Sequence, residues 1–427
     1  MSNPHVADAL NQLFGRRSAF VLIGLTGRTG SGCTTAAALL SKEFPELKLP
    51  EPQLTDAKAE ERKYRIIKDY AQRNWQPFFT ISISNVILSF LLDSTEKDIR
   101  AFFVKAGLLK NEQLNNFINS WQPAQTAWLK AHEALRQSGQ SPEQMDDFLI
   151  QWHGPISDFF KIVRGGLGPS STTILQVVGD NLRKSGEPFS DEHIPRNFYT
   201  LPNRIAQLVT LVRDLQLSRG KPAYIVLDAL RNPFELLYFR ERFAAFYVLA
   251  ISTPNEDRER RLSVRQNYNA KQIAELDSKE YPEKNKPLSG YDAFTSQNIQ
   301  SCLEKADVYI SNSGFVPPNQ DVDTTGLSPQ LVKYFALILH PGLITPTRSE
   351  RCMQIAFAAR ANSGCISRQV GAAITDENDS VKAVGWNDVP AGQVPCLLRR
   401  ATDLIGRQDQ GAGARQGSCR LIHAANC

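Results

Sequence analysis

The stretch Gly24–Ala37, "GLTGRTGSGCTTAA", decides the fold prediction. The apolar run "SAFVLI" comes directly before it, and "CTTAAALLSKEF" has the spacing of apolar residues that a helix needs. Between the two, glycines stand at positions 24, 27, 30 and 32. A buried strand, a glycine-rich turn and a helix in this order predict an α/β unit in which the turn leads directly into the helix N-terminus.

The turn also fits a phosphate-binding motif. Gly27, Gly32 and Thr34 match G-x-x-x-x-G-K-[ST], the P-loop, but Cys33 stands in place of the lysine. Glycines let backbone N–H groups turn toward phosphate oxygens, and the helix N-terminus adds partial positive charge, so neither device needs the lysine. We predict a nucleotide or phosphate site; the alternative is a purely structural turn. The candidate binding residues are Gly27, Arg28, Thr29, Gly30, Ser31, Gly32, Cys33, Thr34 and Thr35.

Composition narrows the class of protein. The 427 residues carry a net charge of +5, too weak to indicate a nucleic-acid partner, and no basic stripe precedes the far C-terminus. The most apolar run, Pro77–Leu92, contains Thr, Ser and Asn and is shorter than the roughly 20 apolar residues of a membrane span. No signal-peptide pattern opens the chain, and seven scattered cysteines indicate free thiols. We expect a cytoplasmic protein without a membrane partner, and a homo-oligomer stays open.

Strands and helices alternate along most of the chain. "PAYIVLDAL", "AAFYVLAIS" and "ADVYISNSG" are predicted strands, which predicts a parallel sheet with helices on both faces. A mainly helical insertion is predicted at about 96–164. The segment "GFVPPNQDVDTTGLSP" is rich in Pro, Gly and Asp and predicts a linker. The predicted division is therefore a nucleotide-binding domain at 1–314, a linker at 315–330 and a second domain at 331–427.

Two further segments support a nucleotide site in the first domain. The strand in "YIVLDALRNPFE" ends at Asp228, where the Mg²⁺-associated acid of P-loop folds stands. "ISTPNEDRERRLSVR" resembles the start of the lid in nucleoside monophosphate kinases and dephospho-coenzyme A kinases. The Ser/Thr of a P-loop holds Mg²⁺, so we expect Mg²⁺ with a nucleoside triphosphate, held by Thr34 or Thr35. The alternatives are a helix cap at Asp228 and a solvated helix face. The resemblance implies phosphate-clamping arginines, with Arg258, Arg260, Arg261 and Arg265 as candidates.

The second domain contains a longer motif. Within residues 347–392, "CISRQVGA" and "GWNDVPAG" match C-x-x-R-Q-V-G-A and G-[YW]-N-[GD]-x-P-x-G. This pattern resembles the start of deoxycytidylate deaminases in the zinc-dependent cytidine deaminase superfamily. With a lysine-less P-loop module, the chain resembles the two-domain dCTP deaminases of bacterial anti-phage defence. The resemblance implies that Asn387 contacts the deoxyribose and that Arg368 lies near the substrate phosphates; the alternatives are a turn residue and a surface charge.

The zinc chemistry of that family needs residues that this sequence lacks. Deamination uses a Zn²⁺-bound water held by His/Cys/Cys and a glutamate that moves protons, with the signature H-x-E and P-C-x-x-C. No P-C-x-x-C occurs in the sequence. "RLIHAANC" resembles the histidine segment, which makes His423 the one candidate zinc ligand, but Ala425 stands in the glutamate's place. Three interpretations stay open: a truncated or frameshifted product, a variant that has lost its metal, and a chance resemblance.

Together these patterns predict an α/β protein with a P-loop NTPase-like sheet and an incomplete cytidine-deaminase-like module. The predicted function is that of a deoxycytidine nucleotide (dCMP/dCTP) deaminase family member, whose family converts cytosine to uracil nucleotides. We expect this chain to be inactive alone. The expected ligands are deoxycytidine nucleotides and ATP or another NTP or dNTP. The alternatives are a non-catalytic nucleotide sensor and a divergent nucleotide kinase, and the loss of the lysine's charge at Cys33 weakens the kinase alternative.

Overall fold

The computed structural model describes residues 19–51, 59–132, 141–167, 169–265, 268–280, 295–314, 326–366, 368–390 and 392–399. The chain divides into two compact units, Met1–Leu343 and Ile344–Cys427. Within the described ranges, no helix is both long enough and apolar enough to cross a membrane.

A five-stranded parallel sheet forms the centre of the first unit. Its strands are β1 (Phe20–Thr26), β2 (Phe79–Ser82), β3 (Ala223–Asp228), β4 (Phe246–Ser252) and β5 (Val308–Ser311), in the spatial order β2-β3-β1-β4-β5. All six residues of β3 are buried, as are six of the seven in β1. Both faces of the central strands are therefore covered, as is usual in parallel sheets. The predicted α/β class is confirmed.

Helices connect these strands and cover the sheet. They are α1 (Cys33–Leu40), α2 (Ala59–Asn74), α3 (Ile83–Ser89), α4 (Glu96–Ala106), α5 (Asn111–Ala131), α6 (Pro142–Gln151), α7 (Ser157–Gly166), α8 (Pro169–Lys184), α9 (Thr200–Ser218), α10 (Pro233–Arg242), α11 (Asn255–Arg260), α12 (Ala270–Glu280), α13 (Ile299–Glu304) and α14 (Leu327–Leu339). Shorter 3₁₀ or π segments lie at Phe44–Leu47, Phe90–Asp93, Trp152–Ile156, Pro195–Asn197 and Arg261–Arg265.

The helical insertion between β2 and β3 is longer than predicted. The sequence indicates helices at about 96–164, whereas helices in the structure run from Ile83 to Ser218. Helix α5 shows why this region folds as it does, because its apolar residues repeat every three or four positions and are buried. The aromatic rings of Phe117 and Phe159 meet at 5.4 Å, which joins α5 to α7. The insertion thus has an apolar core that is continuous with the sheet.

Helix α14 belongs to the first unit, although the predicted division places most of it in the second domain. The ring of Phe335 lies 4.8 Å from Trp75, 5.9 Å from Phe78 and 5.5 Å from Tyr224. An apolar helix face must be buried against a core, and the core available to α14 is that of the first unit. The predicted linker differs accordingly: residues 315–325 lie outside the described ranges, and 327–330 are the first residues of α14.

The second unit contains helix α15 (Arg348–Ala359) and an antiparallel hairpin of β6 (Gly371–Thr375) and β7 (Val381–Trp386). Thr347 caps α15 by accepting a hydrogen bond from the Glu350 amide at 3.2 Å. Short 3₁₀ segments lie at Arg360–Asn362 and Cys396–Leu398. Every residue of β7 is exposed, so this hairpin contributes little to a core.

Candidate functional site

The glycine-rich loop joins the end of β1 to the start of α1, as the sequence predicts. Gly30 and Gly32 adopt φ angles of 87° and 105°, a left-handed conformation that favours glycine. A Cβ atom on Gly32 would also lie 2.2 Å from the side-chain nitrogen of Asn312. Both the backbone angle and the packing therefore require glycine at position 32.

The position of the loop in the sheet favours ligand binding. Strand β1 lies between β3 and β4, and ligands of open parallel sheets bind beyond the carboxyl ends of strands where the connections diverge. The first hydrogen bond that continues into α1 runs from the Ala36 amide to the Gly32 carbonyl at 2.9 Å. The amides of Cys33, Thr34 and Thr35 precede it and have no partner within the helix. Such amides, with the helix dipole, attract anions.

Side chains from distant segments fix the shape of the loop. The Ser31 carbonyl accepts hydrogen bonds from the Asn312 side-chain Nδ2 and the Thr253 hydroxyl, both at 2.8 Å, and from Arg261 at 3.4 Å. Arg258, which is buried, donates to the Thr29 carbonyl at 3.1 Å. These contacts support the left-handed conformations of Gly30 and Gly32.

The predicted arginine cluster therefore divides by position. Arg258 and Arg261 contact the loop backbone, so they support its shape, and a direct contact of either with phosphate stays a prediction. Arg260 is exposed. The side chain of Arg265 lies outside the described part of the structure. Arg28 donates to Asn255 at 2.6 Å and pairs with Asp277 at 2.8 Å.

Asp228 and Thr34 form a polar pair at the mouth of the loop. The Thr34 hydroxyl donates to Asp228 Oδ2 at 3.0 Å, and among the described residues Asp228 Oδ1 has no hydrogen-bond partner although it is buried. Burial raises the pKa of Asp228, while the Thr34 hydrogen bond and the positive charges of Arg231 and Arg164 act in the opposite direction. Mg²⁺ prefers carboxylate and hydroxyl oxygens. A buried carboxylate oxygen without a partner, beside a threonine hydroxyl, fits this ion.

Cys33 occupies the lysine position as a buried, neutral thiol. Burial, followed by the nearby charge of Asp228, raises the pKa of Cys33 to about 12. Its sulfur lies 3.6 Å from the Ser31 hydroxyl. A thiol with so high a pKa is protonated at neutral pH and is a weak nucleophile. The side chain at position 33 therefore supplies no charge for a phosphate.

A cleft of about 560 Å³ opens beside the loop at the carboxyl ends of β1, β2 and β3. Ligand pockets for small molecules fall in the range of roughly 300–1,000 Å³. The helical insertion supplies one wall, which includes Arg164 and Gln176. Burial lowers the pKa of the Arg164 guanidinium. The other wall holds Thr34, Asp228 and Arg231. The cleft thus joins the glycine-rich loop to a space of a size that a nucleoside would fit.

Two residues of this site, Glu280 and Arg231, are not among those predicted from the sequence. Glu280, fully buried at the end of α12, accepts hydrogen bonds from the Thr29 amide, with 3.1 Å to each carboxylate oxygen. The Thr29 hydroxyl also donates to Glu280. Arg231 pairs with the same carboxylate at 2.9 Å. Arg231 follows Asp228 by three positions and could have been suspected, whereas Glu280 is one acid among many in a charged segment.

In the second unit, Asn387 holds together the loop that leads into β6. Its Oδ1 accepts hydrogen bonds from the Ser363 hydroxyl at 2.8 Å and the Val370 amide at 2.7 Å, and its Nδ2 donates to the Arg368 carbonyl at 2.7 Å. The Arg368 side chain is exposed. Asn387 therefore has a structural role, and its predicted contact with deoxyribose stays a prediction.

Within the described ranges, no group of three His, Cys, Asp or Glu side chains is placed to hold a metal ion. His423 and Ala425, which bear on the predicted zinc chemistry, lie outside those ranges. In comparisons with known proteins, no protein-family model, no curated protein and no solved structure gives a significant match to the chain.

Proposed function

We propose that the first unit is a P-loop module that binds the phosphates of a nucleoside triphosphate with Mg²⁺. The observation that carries this proposal is the loop at residues 27–34, with left-handed glycines, helix-terminal amides and the Thr34–Asp228 pair at its mouth. In this role the amides of Cys33 and Thr34 hold phosphate oxygens. Thr34 and Asp228 would hold the Mg²⁺, which would neutralise phosphate charge when bound. The cleft receives the nucleoside.

Binding is a better-supported role for this module than phosphoryl transfer. Phosphoryl transfer depends on stabilising the charge of the transferred group, and the neutral thiol of Cys33 contributes none. Arg258 and Arg261 donate to carbonyls of the loop. A kinase would have to obtain its positive charge elsewhere, so a nucleotide-sensing or substrate-handling module is the simpler role.

We further propose that the chain is a member of the deoxycytidine nucleotide (dCMP/dCTP) deaminase family in its two-domain anti-phage form, acting in the cytoplasm. The motif at residues 365–392 supports this, and Asn387 is where the motif concentrates its hydrogen bonds. P-C-x-x-C and the H-x-E glutamate are absent from the 427 residues. The role proposed for the residues present is therefore to bind nucleotides, without the catalytic step. The alternative is a non-catalytic nucleotide sensor.

Binding of dCMP separates the family proposal from the sensor alternative. A monophosphate lacks the outer phosphates that a P-loop holds, so dCMP should bind through Asn387 and tolerate Gly32→Val. We expect Asn387→Ala to remove dCMP binding, and Asn378→Ala, in the exposed hairpin turn, to preserve it. Failure of dCMP to bind the wild-type chain would favour the sensor.

We expect the 427-residue chain to release no ammonia from dCMP or dCTP and to carry no stoichiometric zinc. General acid–base catalysis alone contributes roughly 10²–10⁴-fold, and here the proton-transferring glutamate and the cysteine pair for zinc are both absent. The measurement is ammonia release with parallel metal analysis. Turnover accompanied by stoichiometric zinc would contradict this expectation and would place the metal on ligands not recognised here.

A further inference from the structure

The end of helix α12 places a carboxylate on the phosphate-binding loop. Glu280 accepts from the Thr29 amide and hydroxyl and pairs with Arg231, and its side chain is completely shielded from solvent. Backbone amides of a P-loop and a neighbouring cation are the groups that bind a phosphate anion. In this conformation, both kinds of group at Thr29 are already occupied by an anion from the protein itself.

A second carboxylate on the same helix occupies two more cations. Asp277 lies three residues before Glu280, so the two side chains lie on one face of α12. Asp277 accepts from Arg258 Nη2 at 2.6 and 2.7 Å and pairs with Arg28 at 2.8 Å. The helix thus places carboxylates against three arginines, Arg28, Arg231 and Arg258. A polyphosphate that uses the Thr29 amide or these arginines must therefore compete with the two carboxylates.

We propose that α12 is an inhibitory segment, in which Glu280 takes the place of a phosphate group until a polyphosphate displaces it. The inference rests on the proposed nucleotide-binding function of the same loop. A carboxylate and a phosphate both present oxygen acceptors to N–H donors, but a Mg²⁺-bound polyphosphate offers more oxygens and more charge. Only the fraction of molecules with Glu280 displaced offers the Thr29 amide and Arg231 to the polyphosphate, and the apparent affinity for a ligand that uses them is the intrinsic affinity multiplied by that fraction. The device sets a concentration threshold for the nucleotide.

Substitution of Glu280 tests the displacement directly. Glu280→Gln keeps an acceptor for the Thr29 amide and removes the charge that holds Arg231. We expect at least about tenfold tighter binding of Mg²⁺–ATP and of inorganic triphosphate, measured by calorimetry. Glu275→Gln is the matched control, since Glu275 is exposed on the same helix, and we expect its affinity to equal that of the wild type.

The outcomes separate this inference from the proposed function. Wild type and Glu280→Gln binding ATP equally would overturn the inhibitory role and leave the nucleotide site standing. If neither protein binds any nucleotide or triphosphate, both proposals fail. Tighter binding by Glu275→Gln as well would also overturn the inference, because it would show a general effect of charge.

Hydrogen exchange of the wild-type protein gives a second test that does not depend on how a variant folds. Displacement of Glu280 should loosen α12, so its backbone amides should exchange several-fold faster when Mg²⁺ and inorganic triphosphate are added. Helix α9, on the insertion side of the sheet, serves as the internal reference and should be unchanged. Slower or unchanged exchange in α12 on triphosphate binding would contradict the displacement.

Discussion

Asp228 shows how a single buried charge ties stability to function. Burial raises its pKa, which means that the folded protein binds a proton at this carboxyl more tightly than the unfolded chain does. The sign follows from this: ionised Asp228 costs stability, the cost is absent below the ordinary pKa of 3.8, and it is complete above the raised pKa. A bound Mg²⁺ would offset this cost by giving Oδ1 a partner.

We therefore predict opposite effects of Asp228→Asn on stability and on ligand binding. The neutral amide avoids burying a charge, so the free energy of unfolding of the ligand-free protein should stay equal or rise by about 1 kcal/mol. Binding of ATP should lose its dependence on Mg²⁺. Urea unfolding and calorimetry with and without Mg²⁺ measure the two effects. Asp214→Asn, on a more exposed carboxylate, is the control, and retained Mg²⁺ dependence in Asp228→Asn would refute the assignment.

At this scale the sequence reveals part of the site and conceals the rest. Gly30 and Gly32 could be predicted because their left-handed conformations follow from a local motif. Asp228 could be predicted because it ends an apolar strand. Glu280 could not, since its contact with Thr29 spans 251 residues of sequence and depends on where α12 packs. The sequence shows that Cys33 replaces the lysine and its positive charge. The burial of the thiol and its raised pKa are seen only in the structure.

At the scale of elements, a buried ion pair joins helix α8 of the helical insertion to helix α10, which follows β3. Arg183 of α8 and Glu235 of α10 meet at 2.8 Å, and both are almost completely buried. Arg183 also lines the cleft. Removing one partner of such a pair leaves an uncompensated buried charge, which is far more costly than the pair's net contribution.

We predict that Glu235→Ala lowers the free energy of unfolding by about 3–5 kcal/mol. Asp180→Asn should cost less than about 1 kcal/mol, because the more exposed Asp180 lies 3.5 Å from the same arginine. Chemical denaturation of both variants makes the comparison. Equal decreases in the free energy of unfolding of the two variants would contradict the prediction that the buried Arg183–Glu235 pair is the more costly one to break.

The sequence identifies most elements but misjudges their grouping. Strands β1, β3, β4 and β5 are apolar runs, and such runs are recognisable without knowledge of the fold. The Pro- and Gly-rich segment before helix α14 predicts a domain boundary there, which places most of the helix in the second domain. Its packing on Trp75 and Tyr224 decides otherwise, and composition alone does not show which core a helix joins.

At the scale of the whole molecule, the two units differ in how much they bury. The first unit has a continuous apolar core that includes the sheet and the insertion. In the described part of the second unit, only Ala359 and Ser363 are buried, while Met353, Phe357 and Ile374 are each more than 60% exposed. Apolar burial is the main stabilising term, so the units should differ strongly in local stability.

Limited proteolysis should therefore cut the second unit first. We expect early cleavage within residues 344–399 and a resistant fragment that contains the first unit, identified by mass spectrometry. Hydrogen exchange should show lower protection in β6 and β7 than in β1 and β3 by several orders of magnitude. Equal protection in the two units would mean that the exposed apolar side chains are covered in solution.

The central claim is that the loop at residues 27–34 binds the phosphates of a nucleotide, and calorimetry of wild type against Gly32→Val tests it most directly. Valine at position 32 would need a left-handed backbone and would place its Cβ atom 2.2 Å from the Asn312 side chain. With Mg²⁺ present, we predict saturable binding of ATP or dCTP at one site in the wild type and none in Gly32→Val. Absence of binding heat in the wild type with every NTP and dNTP, or equal binding by the variant, would contradict the claim.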